Sequence, residues 1–296
     1  MTTQTIPDTI PDRRHDVMRL RARAVMVLSL ASVAGLCMFL WPLLVVPPTE
    51  FSHNTDAPFV FVLIMPVVVA VVLSELSSGG MDTKSLAMLG VLSAIGAALR
   101  PMGAGVAGIE TVFFMLVLAG RVYGPGFGFV LGNTTLFASA LLTGGVGPWL
   151  PFQMLASAWV GLGAGLLPWP RIRGRAEIAL LAAYGAVAAY AFGFLMNMWF
   201  WPYSIGEGTE LSFVPGDPIW SNLHRFALFT LASSTWGWDT GRAITNVVAV
   251  ALLGSTVLAT LRRATRKANF GAPVTFTAAQ ANAPTVTAEG AEAAAR

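Results

Sequence analysis

Seven polar side chains sit at or near the ends of long apolar runs: Arg100, Glu110, Gln153, Asn197, Asp239, Arg242 and Asn246. Asn133 lies deeper, near the middle of its own run, with Thr134 and Thr135 beside it. Polar groups at such depths face a cavity or one another, because facing hydrocarbon is costly. Charges and amides in this arrangement can hold a small polar molecule by ion pairing and hydrogen bonds. They are poorly equipped for catalysis, since Glu110 and Asp239 are the only clear carboxylates in that half of the chain's apolar region. Asp239 and Arg242, at i, i+3, can pair at the start of the last helix, and an acid there would also favour its positive N-terminus.

The same ends are aromatic. Trp149, Trp199, Phe200, Trp201, Tyr203, Trp220, Trp236 and Trp238 gather there, whereas the opposite ends have Trp169. A membrane-interface belt accounts for single residues but would serve both faces. The excess on one face favours stacking against a flat ligand for two or three of them. The connector GGVGPWLPFQ, 144–153, joins two runs there. Its glycines let backbone amides approach a ligand, or simply make a tight turn. GPGFG at 124–128, on the other face, reads as a hairpin turn.

Other motifs carry less. Gly103-Ala-Gly105-Val-Ala-Gly108 matches the dinucleotide fingerprint in letters, but no strand precedes it and no acid follows about twenty residues on. No Walker loop is present. His15, His53 and His224 make no helical i, i+4 pair for a metal, and Cys37, the lone cysteine, excludes an intramolecular disulfide or a cysteine metal site. No cofactor, metal or catalytic residue is expected. His224, Ser234 and Asp239 are the types of a hydrolytic triad without a spacing that fixes one.

The elements that must position these residues are membrane helices. The 296 residues are 55% hydrophobic and 11% charged, with mean hydropathy +0.67. A soluble domain of this size would need more charge on its surface. Eight spans emerge, at about 24–46, 58–74, 84–99, 108–121, 124–144, 149–168, 177–200 and 241–262. The first is too long for a signal-peptide core and lacks a small-residue cleavage site, so it reads as a retained helix. Asn222–Trp236 is short and contains His224 and Arg225, which predicts a separate re-entrant or interfacial helix. Residues 268–296, rich in Ala, Thr and Pro, predict a disordered tail.

With the N-terminus in the cytoplasm, fifteen of the eighteen lysines and arginines fall inside, and only Arg100, Arg225 and Arg242 outside. That asymmetry is what the positive-inside rule expects of a plasma-membrane protein with both termini cytoplasmic. The net charge of +3 is spent in short clusters that orient spans, so no nucleic-acid partner is implied. The inner halves of the spans, such as 160–168 and 178–183, are almost free of polar groups. The pattern predicts a pocket open to the outside and closed below, not a continuous pore. Small residues recur every four positions at Gly90, Ala94 and Ala98, at Gly161 and Gly165, and at Gly185, Ala189 and Gly193. Such stripes let helices approach closely, either within the bundle or against another membrane subunit.

These residues also carry a resemblance. GIETVFFMLVLAGRVYGPGFGFVLGNTTLFASALLTGGVGPWLPFQMLASAWVGLGAGLLP, 108–168, extended through Trp238-Asp239 and the last arginine cluster, resembles the substrate-binding (S) components of energy-coupling factor (ECF) transporters, closest to the actinobacterial type. The likeness covers about 83–267. It implies an all-α integral membrane protein with a six-helix S-component bundle, preceded here by two additional transmembrane helices, giving eight spans. The domain plan is then a basic cytoplasmic segment 1–23, the two extra helices within 24–82, the S-component-like domain 83–267 and the tail 268–296. It also implies capture of a vitamin or vitamin precursor from outside, followed by reorientation with a scaffold subunit and two ATPases as part of an ABC importer. Scaffold docking would fall on Gly90, Ala94 and Ala98, where glycine replaces an expected alanine at 90. Segments 100–108, 144–153 and 201–222 would close over the ligand. The residues that would bind substrate are Arg100, Glu110, Asn133, Trp149, Gln153, Asn197, Trp238, Asp239 and Asn246.

Two other classes compete. A solitary secondary carrier would show duplicated halves or matched broken helices, and no internal repeat is evident. An intramembrane enzyme would need a convergent acid, base or metal set. A cobalamin and a thiamine-like precursor both suit the aromatic rim.

Overall fold

The computed structural model describes residues 22–44, 81–103, 108–168, 172–204 and 208–268, with isolated positions 67 and 74. The expected span 58–74, the basic segment before residue 22 and the tail after 268 therefore lie outside the described residues. Every regular element within them is helical, with no strand among the described residues.

In chain order these are α1 (Ala22–Phe39), α2 (Trp41–Leu44), α3 (Thr83–Gly103), α4 (Val112–Tyr123), α5 (Pro125–Thr143), α6 (Leu150–Leu166), α7 (Arg175–Ser204), α8 (Ile219–Thr230), a π-helix (Leu231–Asp239) and α9 (Thr240–Ala268). Four helices are long and apolar enough to cross a membrane: α3, α5, α7 and the continuous run Ile219–Ala268. Shorter apolar helices are Val25–Phe39, Val112–Tyr123 and Leu150–Leu166. The 12 residues of α4 rise about 18 Å, well short of a hydrocarbon core of about 30 Å.

Two expectations change here. Residues 222–236 are not a separate re-entrant element, because α8, the π-helix and α9 run on as one 50-residue helix. Its entry accommodates the charge that argued for a break: Arg225 donates to Asp217 at 2.7 Å and to Asn222 at 3.2 Å. The hairpin turn is also tighter than 124–128, since α4 ends at Tyr123 and α5 begins at Pro125. Gly124 alone makes the turn, with φ +94° that a side-chained residue rarely adopts.

The core is built around α4, α5 and α6. Val112 to Ala119 are all buried, as are Phe127, Phe129, Val130 and Leu131. Close approach of α5 and α6 rests on a glycine pair: a Cβ on Gly161 would strike the Gly128 carbonyl, and one on Gly128 would strike that of Gly161. Backbones that touch this way gain dispersion contacts that larger residues would prevent. The first helix is part of the same body. Trp159 donates to Ser32 at 3.0 Å, Phe39 packs edge-on against Phe152, and Trp41 donates to the Trp199 carbonyl at 3.1 Å.

The basic ends of several helices meet. Arg121 on α4 and Arg262 on α9 both donate to Glu177 on α7, at 2.8 and 2.7 Å. Arg121 and Glu177 side chains are each 1% exposed. Arg121 also donates to the carbonyls of Leu167 and Pro168, which suits a guanidinium with several donors in a buried place. Lys84, at the start of α3, donates to the carbonyl of Ala268 at the end of α9.

Candidate functional site

At the opposite end from that cluster, a chain of polar contacts crosses the bundle. It begins on α6, where the Gln153 side-chain oxygen Oε1 accepts from Arg100 Nη2 at 2.9 Å. Arg100, in the last turn of α3, lies 3.8 Å from Glu110. Glu110 stands in the connector before α4 and accepts from Arg242 Nε at 2.6 Å. Arg242 in turn donates to Asp239 at 3.0 Å. The other Asp239 oxygen accepts from Ser234 at 2.7 Å, and Ser234 accepts from Asn197 on α7 at 2.6 Å. Seven side chains, far apart in sequence, thus form one network with two arginines balanced by two carboxylates. Partial burial makes each pair stronger than it would be in water, and balance avoids an uncompensated charge.

Local structure explains how the chain delivers these groups. The connector before α4 is pinned by Thr111, which donates to the Leu99 carbonyl at 2.7 Å. Gly108 adopts φ +75°, and its Cα side lies so close to the Trp238 backbone that any Cβ would collide with it. The third glycine of the false dinucleotide motif is therefore there to seat the connector on the π-helix. That π-helix is itself rare, and π-turns recur where side chains must be re-aimed at a site. Two threonines brace it: Thr235 donates to the Thr230 carbonyl and Thr240 to that of Thr235, both five residues back. The widened turn leaves Trp238 half exposed while Asp239 is buried. Gly193 on α7 gives the Asp239 carboxylate its room, since a Cβ there would overlap it.

A cavity of about 360 Å³ opens beside the network. Arg100, Glu110, Gln153 and Arg242 line it, with Trp149 and Trp238 as aromatic walls. Phe192 also lines it and carries the Arg242 guanidinium over its ring, 4.9 Å from the centroid. Trp149 is steadied by its Nε1, which donates to the Gly145 carbonyl at 3.2 Å. Ser139, another lining residue, is fully buried, and its hydroxyl has no hydrogen-bond partner among the described residues. An orphan hydroxyl in a cavity is a ready contact for a ligand. The size and mixed lining fall at the small end of small-molecule pockets.

Of the residues singled out from sequence, Arg100, Glu110, Trp149, Gln153 and Trp238 line this cavity. Asp239 and Asn197 stand behind it, holding Arg242 through the network. Asn133 and Asn246 are not among its lining residues. Each is fully buried and turns its amide nitrogen to a carbonyl four residues back, Phe129 and Arg242 respectively. Their side-chain oxygens have no hydrogen-bond partner among the described residues. Sequence reasoning missed Ser139, Thr143 and Phe192 as lining groups. Ser139 precedes the connector by five residues, a spacing that resembles any helix-end serine.

The aromatic excess divides in two. Trp199 stacks on Phe152 at 4.3 Å, and Trp201 donates to the Leu211 carbonyl at 2.7 Å, so both are buried core. Trp220 and Trp236 are 82% and 80% exposed and line no part of this cavity. The triad types do not converge, because His224 lines a different depression with Trp220 and Arg225. Asp239 is no helix cap either, as the helix that holds it starts at Ile219. Among the described residues no group of three or more His, Cys, Asp or Glu is placed to hold a metal.

The small-residue stripe of α3 turns away from the bundle. Gly90, Ala94 and Ala98 are exposed, whereas Leu89, Leu92, Ser93, Gly96 and Ala97 are buried on the other face. Gly161, Gly185, Ala189 and Gly193, by contrast, pack inward.

A family model described as the ECF transporter, substrate-specific component, matches residues 84–261, well over half of the chain. The match holds the whole polar network and begins after α1 and α2. No curated protein and no solved structure matches the chain.

Proposed function

The chain belongs to the family of ECF transporter substrate-specific components, and from that premise we propose that it captures a vitamin-like small molecule from outside the cell in the cavity beside Arg100, Glu110 and Arg242. The observation that carries this reading is the convergence of four polar lining groups from separate elements on one aromatic-walled cavity within the matched region. The bound molecule is then passed inward with a scaffold subunit and two ABC ATPases, which supply the nucleotide chemistry for which this sequence has no Walker loop. A lining of two arginines, one carboxylate and an amide, with the Asp239 carboxylate held behind Arg242, selects a small, flat, polar heterocycle. The cavity volume suits a thiamine-like precursor better than a cobalamin.

In this reading the bundle of α3, α4, α5, α6, α7 and α9 is the six-helix S-component unit. The segments at 24–46 and 58–74 add two further spans, for eight in all. Both termini are cytoplasmic in the plasma membrane, which puts the Arg121–Glu177–Arg262 cluster inside and the cavity outside, in keeping with the lysine and arginine bias. The buried apolar run Val112–Ala119 separates the two ends and supports a closed floor beneath the ligand. The outward stripe Gly90, Ala94 and Ala98 is the scaffold-docking face.

Co-expression with a scaffold subunit and its ATPases tests the assignment. The expected result is a purified assembly that takes up one labelled vitamin into vesicles only with ATP. Uptake by this chain alone, without the ATPases, would replace the reading with a solitary carrier. Turnover of the captured molecule would replace it with an intramembrane enzyme.

A further inference from the structure

A second cavity, of about 620 Å³, lies between α7 and α9 at the end where the arginines gather. It shares no lining residue with the cavity described above. Its walls are mostly small and apolar, with Ile178, Ala179 and Ala182 from α7 and Ala251, Ser255 and Leu258 from α9. Its rim is cationic, with Arg175 exposed and in no ion pair among the described residues, and Arg262 beside it. Glu177 also lines it, but that carboxylate is 1% exposed and already accepts from both Arg121 and Arg262. Two guanidiniums on one carboxylate, with Arg175 added, leave the rim positively charged.

The groove is open sideways, toward the apolar surface. Ala179 and Ala251 in its walls are exposed, and Leu252, next to Ala251 in the chain, is 72% exposed. From Ala251 to Arg262 the helix rises about 16 Å, which matches one leaflet's share, about 15 Å, of a hydrocarbon core. A cationic rim at one end of an apolar trough one leaflet long fits an amphiphile better than a free anion.

We propose that the α7–α9 groove is a binding site for an anionic glycerophospholipid, its phosphate against Arg175 and Arg262 and an acyl chain along Ala182, Ala251 and Leu258. Coulomb attraction at a juxtamembrane arginine supplies the preference for an anionic headgroup, and the trough supplies the preference for a lipid. The site is independent of vitamin capture, and its test needs no vitamin.

Native mass spectrometry of the full chain in detergent, with equal phosphatidylglycerol and phosphatidylcholine of the same acyl chains, reads it directly. One phosphatidylglycerol should be retained about fivefold over phosphatidylcholine. Arg175→Gln should bring the two toward equality, and Ala251→Phe, filling the trough from an exposed position, should lower retention of both. Ala179→Phe, also exposed, plugs the same trough should the first plug fail to fold. Soluble glycerol phosphate should not displace the lipid. Equal retention of the two lipids by the unaltered chain, or a ratio unmoved by Arg175→Gln, would overturn the proposal. So would full displacement by glycerol phosphate with both plugs silent, which would mark an anion site without a lipid.

Discussion

Arg242 is the hub of the site: it joins Glu110 to Asp239 and lies over the rings of Phe192 and Phe113. Lysine in its place would keep the charge but lose the planar fork that reaches two carboxylates at once. We expect Arg242→Lys to weaken vitamin binding at least about tenfold, because each lost charge-assisted hydrogen bond is worth about 1.5–3 kcal/mol. Titration calorimetry against the vitamin that the unaltered protein retains would show it. The two exposed tryptophans of the π-helix give a sharper contrast. Trp238→Ala should cost about tenfold in affinity through lost stacking, whereas Trp236→Ala, off the cavity, should leave affinity unchanged. Equal effects would return both residues to the membrane belt. At the other end, Glu177→Ala removes the shared partner of two arginines at a site only 1% exposed, and should destabilise the protein by about 3–5 kcal/mol in a detergent unfolding assay. At this scale the sequence was informative about type and poor about place. Polar residues at helix ends mark a site because their cost demands a cavity. Which face each one turns to depends on helix rotation, so Asn133 and Asn246 read like Gln153 until packing separates them.

Helices are set by close backbone contact and by the π-turn. Gly161 meets Gly128 backbone to backbone, so Gly161→Ala should cost about 1–3 kcal/mol through overpacking, while Gly90→Ala, with open space at its Cβ among the described residues, should cost almost nothing. A thermal-shift comparison of the two variants reads the difference. Both glycines belong to small-residue stripes that look alike in sequence. Burial tells them apart: one is inside the bundle, the other on an outer face. The α3 stripe then predicts a separable defect. Ala94→Leu should leave vitamin affinity intact and reduce co-purification of the scaffold subunit, and an intact complex at ordinary yield would contradict the docking assignment. Long apolar runs were legible as helices because their hydropathy and length leave few alternatives. The continuity from Ile219 to Ala268 was not. His224 and Arg225 signalled a break, and the pairing of Arg225 with Asp217 that removes the need for one is formed only in the fold. A π-helix likewise has no hydropathy signature, since its one extra residue per turn is invisible to a 3.6-residue period.

At the scale of the whole molecule, charge and chemistry are segregated. One end holds a balanced polar network around a small aromatic cavity; the other holds a basic cluster locked on Glu177; a buried apolar run along α4 lies between. That polarity is the arrangement expected of a receptor that takes a molecule on one face and leaves energy supply to partners. The family match across 84–261 is to the substrate-specific component of an ECF transporter. Whether this chain alone binds a small vitamin at the Arg242 cavity is read by equilibrium titration of the purified full chain with a vitamin panel. Saturable binding of one small heterocyclic vitamin is expected, with Kd of about 1 μM or tighter, a free energy near −8 kcal/mol, weakened at least about tenfold by Arg242→Lys and unchanged in Ala94→Leu. Absence of binding across the panel, or binding indifferent to Arg242→Lys, would contradict it.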